Sequence, residues 1–286
     1  MDGTTRTEMR TVALALIASL LLWNLPFGGL LLYPFKLLAT WLHELSHGIA
    51  MTATGAGFDY VLIYRDTSGL AYAKERVGPV GTAFIAGAGY MGTPLWGAFL
   101  LLVTPTARAA KRAMLVLGLA CVVSAFTVVA QRPDDPFGPW AVGAMGGVIA
   151  ACAFLPGRWR IAIAHFIAAQ SCVNALLDIR VLLRPLQVVD GQFAGSSDAH
   201  NMSNATFGTT DNWGVYTWAA IWLAWSLVML FGALRLSGSP ALTRVIGFGR
   251  SKAAPRGESD RDAHRRSPAT APDETVPSAP ADTEAP

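Results

Sequence analysis

The chain has 286 residues, of which 52% are hydrophobic and only 14% charged, whereas ordinary soluble domains carry about 25% charged residues. Its net charge of +3 comes from basic residues scattered along short loops and the C-terminal region, which is not the footprint of a nucleic-acid binder. Cys121, Cys152 and Cys172 all fall inside apolar runs without metal-type spacing, so they read as buried small hydrophobes rather than as disulfides or metal ligands.

A membrane-spanning helix needs roughly 20 mostly apolar residues, and the chain offers six or seven such blocks. The first, residues 11–32, follows Arg6 and Arg10. It is too long for the apolar stretch of a signal peptide and reads as a retained helix, so residues 1–34 form an N-terminal segment with the first span. The second block, 35–54, carries most of the stretch "ATWLHELSHGIAMTATGAG". Directly after it, "FDYVLIYRDTSGLAYAKE" has β-prone Tyr60, Val61, Ile63 and Tyr64, then the turn residues Asp66 to Gly69, then a second short run. That pattern predicts a β-hairpin over about 58–75.

Further blocks follow at 80–103, 112–130, 140–155 (short and glycine-rich), 161–183 and 214–236, with a polar loop at 185–213. Trp140, Trp159, Trp213 and Trp218 lie near block ends, where an interfacial belt places them. From 237 to 286 the composition turns to Pro, Ala, Ser and charge, which predicts a disordered tail. The expected fold is thus an all-α polytopic bundle of six or seven transmembrane helices with one small hairpin. Its core spans 35–236, and the chain is an integral multi-pass membrane protein in contact with the lipid bilayer.

His43, Glu44 and His47 are the chemically informative residues. Histidines four apart on a helix share one face, so both imidazoles can reach one ion. In H-E-x-x-H metallopeptidases the glutamate at this position takes a proton from water rather than binding the metal. Ionisable groups at membrane depth are expensive, which marks all three as functional candidates. A catalytic zinc uses three protein ligands. Asp178, the only acidic residue of the block 161–183, is the first candidate for the third ligand, with Asn174 one turn earlier on the same face. Asp198, in "SSDAH", is the second, with a helix N-cap or solvated loop carboxylate as its simpler reading. His165 and His200 are weaker candidates.

The run His43-Glu44-Leu45-Ser46-His47-Gly48 in an apolar block resembles the site-2 protease family of intramembrane zinc metalloproteases, together with Asn174 and Leu177-Asp178 in a later block. The compact bacterial branch without a PDZ domain is the most similar, on "GAGYMG" (Gly87 to Gly92) and "SDA" (Ser197 to Ala199). The resemblance covers about 35–236 and departs at Ile179, where the family has glycine after Leu-Asp. It implies a zinc metalloendopeptidase of the bacterial cell membrane that cleaves membrane-embedded proteins. Zinc would be held by His43, His47 and Asp178, with Glu44 as general base and Asn174 as an oxyanion or substrate contact. The rival reading is a non-catalytic metal-binding membrane protein, a transporter or scaffold. The intact Glu44 speaks against that, because a structural zinc has no use for it.

Overall fold

A computed structural model describes residues 24–182, 187–189, 192–195 and 197–237, together with Leu14, Ile17, Ala18, Leu21 and Leu22. Residues 11–13, 15, 16, 19, 20 and 23 of the expected first helix, and the tail from 238 onward, lie outside the described residues. Seven helices are found among those described. They are α1 (Gly28–Ala53), α2 (Pro79–Val103), α3 (Ala107–Thr127), α4 (Phe137–Cys152), α5 (Gly157–Leu182), α6 (Asp198–Phe207) and α7 (Asn212–Ser237). Two antiparallel hairpins complete the set, β1 (Phe58–Ile63) with β2 (Gly69–Ala73), and β3 (Gln187–Val189) with β4 (Gln192–Gly195).

The all-helical membrane fold with its small hairpin is as the sequence suggests. Among the described residues, four stretches are long and apolar enough to cross a bilayer: Pro79–Val103, Ala107–Thr127, Gly157–Leu177 and Asn212–Leu236. Large hydrophobics stand on the outside, among them Phe99, Phe126 and Phe231. Such a surface would be an aggregation hazard in water and is natural against lipid. Two details differ from expectation. A turn at residues 25–27 interrupts the block 11–32, because Pro26 lacks an N–H and disfavours helical backbone at Leu25. α1 therefore starts at Gly28. The presumed polar loop 185–213 also contains the β3–β4 hairpin and the ten-residue helix α6.

α1 is the axis of the molecule because its 3.6-residue period gives it three buried faces. One face, with Leu37, Leu38, Trp41 and Leu42, packs into the main core alongside Val61 and Ile63 of β1, Met114 and Cys121 of α3, Val142 and Ile149 of α4, and Ile167 of α5. Trp41 Nε1 donates to Ser124 Oγ across that core at 2.8 Å. In the same layer α3 and α4 touch backbone to backbone. A Cβ on Gly118 would stand 2.6 Å from the Gly146 carbonyl oxygen, and the reverse distance is the same. Close small-residue packing of this kind replaces the hydrophobic effect as the source of helix association in a membrane.

The second face of α1 carries the hairpin. After Thr54, whose N–H still bonds to the Ala50 carbonyl at 2.9 Å, Gly55 and Gly57 take φ of +80° and +68° and turn the chain back along the helix. Tyr33, Thr40, Glu44 and Gly48 then meet the hairpin one after another. Tyr33 donates to the Arg65 carbonyl at 2.7 Å, Thr40 donates to the Thr67 carbonyl, and Gly48 leaves room for the Phe58 ring. The tip is clamped from outside by Arg65, which donates to both oxygens of Asp135 at 2.8 and 2.9 Å and lies 4.9 Å over the Phe137 ring. Those bonds hold the Asp135 carboxyl below the usual carboxylate range.

The hairpin has one closed edge and one open edge. Val61 of β1 donates to the Val128 carbonyl at 2.8 Å and accepts from Ala130 at 2.9 Å, which closes the outer side of β1. Val61 is paired with Ala71. Opposite residues of an antiparallel ladder point their backbone groups either both inward or both outward. The N–H and C=O of Ala71 therefore point away from β1, along the side of β2 that faces α1.

Candidate metal centre

The third face of α1 presents His43 and His47 to α2. The His47 Nδ1–H donates to the Ile85 carbonyl at 2.7 Å, which leaves Nε2 of that ring free to bind. His43 lies edge-on to Tyr90, with ring centroids 4.7 Å apart. Between these two α2 residues sits Gly89, where a Cβ would overlap the Nε2 atoms of both histidines. The glycine of "GAGYMG" thus lets the α2 backbone close directly over the imidazoles, and Gly92 does the same over Ser46.

The carboxylate that meets both rings is Asp198, the first residue of α6. Its Oδ2 lies 3.1 Å from His43 Nε2 and 3.2 Å from His47 Nε2. Burial by itself raises the Asp198 carboxyl, and the two histidines reverse this and hold it well below the usual carboxylate range. Ser197 precedes it as N-cap and hydrogen-bonds His200 Nδ1 at 2.8 Å. Three ligand atoms, two nitrogens and one oxygen, lie within 4.8 Å of one another. Zinc bonds of about 2.0–2.1 Å in tetrahedral geometry put ligand atoms about 3.3–3.4 Å apart, and the two nitrogen–oxygen spacings, 3.1 and 3.2 Å, come within a few tenths of an ångström of that.

Glu44 is 5% exposed and lines the same cleft of about 500 Å³ as His43, His47 and Asp198. Its carboxylate receives the outward-pointing N–H of Ala71. Gly69 is the reason β2 can come this close, since a Cβ there would stand 2.7 Å from Glu44 Cγ. Gly69, Leu70, Ala71 and Tyr72 form one wall of the cleft, Ile85, Ala86 and Tyr90 the opposite one.

His43, Glu44 and His47 line the same cleft. Asp178 lies on α5, four residues before its last, and its side chain falls outside the described residues. Asn174 is buried, its amide donates to the Phe35 carbonyl at 3.3 Å, and it is not part of the cleft lining. His165 is buried on α5, and His200 is buried on α6 rather than in an open loop. The sequence reading missed Gly89, Tyr90 and Gly69 as neighbours of the site. The only advance signal was the unusual density of small residues in "GAGYMG" and at the hairpin turn.

The fit predicts a measurable cost at Gly89. Gly89→Ala must push at least one imidazole out of place, so zinc bound per chain should fall well below wild type while helical content measured by circular dichroism stays unchanged. An alanine variant with full zinc content would show that α2 can withdraw and that the close contact is dispensable.

Two imidazoles and a carboxylate beside a buried glutamate, within apolar helices, are the donor set of a metallopeptidase of the membrane. The chain belongs to the family described as Peptidase M50B-like, which matches it over residues 11–233, and that membership implies an intramembrane metalloprotease. No curated protein and no solved structure matches the chain.

Proposed function

We propose that the protein is a zinc endopeptidase that hydrolyses peptide bonds of membrane-embedded proteins, with zinc held by His43 Nε2, His47 Nε2 and Asp198. The observation that carries this reading is the convergence of both Nε2 atoms on one Asp198 oxygen beside Glu44. Zinc bound there supplies Lewis acidity, which polarises a carbonyl and brings the acidity of water near neutral pH. Glu44 takes the proton from the attacking water and delivers it to the leaving nitrogen. His47 is kept in the tautomer that offers Nε2 by its bond to Ile85.

The hairpin presents the substrate. A transmembrane helix hides its peptide bonds in its own ladder, and an extended segment exposes them. The side of β2 that lines the cleft suits strand addition beside Glu44, which already holds the Ala71 N–H. Asn174, held on the Phe35 carbonyl, supports the packing of α5 on α1 in this account, and no step is assigned to it.

The detergent-purified protein should carry about one zinc per chain by elemental analysis, and His43→Ala should carry almost none. Equal metal content in the two proteins would defeat the proposal. Full zinc content without any cleavage of membrane proteins would favour the rival, a non-catalytic metal-binding protein.

A further inference from the structure

We propose that Tyr90 and Trp222 form a positioning pair that fixes the α1 histidines and the α6 aspartate relative to each other. The proposal rests on the metal centre put forward above and concerns what keeps its two halves together. His43 and Asp198 are 155 residues apart and stand on helices that meet the site from different sides. His47 is oriented by its hydrogen bond to Ile85. His43 has no comparable bond among the described residues, and its ring is set by Tyr90, edge-on at 89°.

Tyr90 in turn stacks on Trp222 of α7, with ring centroids 5.0 Å apart and planes within 5° of parallel. Trp222 is wholly buried, and its indole N–H has no hydrogen-bond partner among the described residues. A buried tryptophan normally finds a partner for that group, so here the ring and not the N–H is what the site retains. The same ring belongs to a cluster with Ala86 of α2 and with Ala199 and Met202 of α6, and Ala199 follows Asp198 directly. Beside it, a Cβ at Gly87 would be 3.3 Å from Met202 Cε and 3.9 Å from Trp222 Nε1, so the α2, α6 and α7 surfaces meet there without a gap.

One continuous stack therefore runs from the His43 imidazole through Tyr90 and Trp222 to the helix that starts at Asp198. Flat rings suit this task, since they have few rotamers to lose and transmit position through van der Waals contact. Groups that orient metal ligands typically change metal affinity by about 10–100-fold when removed. The ring of Tyr90 makes the contacts with His43 and Trp222, and phenylalanine keeps that ring while leucine removes it.

The test is a zinc titration of the metal-stripped, full-length protein in detergent against a chromophoric chelator, with thermal stability measured on the same samples. Tyr90→Leu should bind zinc about 10–100-fold more weakly than wild type, and Tyr90→Phe, which keeps the ring, should bind it more tightly than Tyr90→Leu does. Val142→Ala trims the separate main core, and should lower thermal stability while leaving zinc affinity unchanged. Cobalt-loaded Tyr90→Leu should also show an altered visible absorption band, which reports ligand geometry and which mere loss of stability does not move. If Tyr90→Leu fails to accumulate, Trp222→Phe against Trp222→Leu makes the same comparison. Wild-type affinity in the leucine variants would overturn the proposal, as would equal losses in Val142→Ala and Tyr90→Leu. A wild-type protein that binds no zinc would instead overturn the metal centre itself, and the pairing with it.

Discussion

Glu44→Gln is expected to retain about one zinc per chain and to lose cleavage of a membrane substrate by about 10²–10⁴-fold, the usual range for removing a general base. The amide is close in size to the carboxylate, so the tight approach of Gly69 and the bond from Ala71 can largely persist. What it cannot do is accept a proton. The geometry makes the separation of binding from catalysis sharp, because Glu44 lies on the hairpin face of α1 while the ligands lie on the α2 face. A variant that lost metal as well as activity would place Glu44 in the coordination sphere. One that kept activity would assign the base elsewhere.

The second large effect concerns the third ligand. Asp198→Ala should lose most of its zinc and all measurable cleavage, since two imidazoles alone leave a catalytic zinc one protein ligand short. It would also leave His43 and His47 facing each other without the carboxylate that now lies between them. Asp178→Ala should keep most of its zinc, because Asp198 already occupies the place facing both Nε2 atoms. The reverse outcome, with zinc lost from Asp178→Ala and retained in Asp198→Ala, would transfer the ligand role to Asp178.

The reason the sequence ranked these two carboxylates the other way is physical. A carboxylate in an apolar block needs a partner, and a carboxylate in a polar segment can be solvated, so Asp178 looked the more demanding of the two. That argument takes depth from composition alone. Ser197 instead starts a helix, and packing of Ala199 and Met202 under α2 and α7 carries Asp198 onto the histidines. Contacts across more than 150 residues leave no periodic trace in the chain. His43, Glu44 and His47 were legible because their relation is local, one helical turn. The hairpin was legible because β-prone residues flank Asp66 to Gly69. The start of α1 was obscured by an unbroken apolar composition, within which Pro26 ends one helix while Pro34 is carried inside the next. Gly89 shows the limit well, since its meaning lies entirely in the imidazoles that approach it.

The central claim is that this site hydrolyses peptide bonds within or beside the bilayer by means of one zinc ion. It is tested most directly by reconstituting the full-length protein in liposomes with single-span membrane peptides and identifying the products by mass spectrometry before and after metal removal. The account predicts new termini within or next to the apolar segment of a peptide, their disappearance after chelation, and their return on addition of about one equivalent of zinc. Cleavage that continues undiminished in the metal-stripped protein, or zinc-loaded protein that leaves every peptide intact, would contradict it.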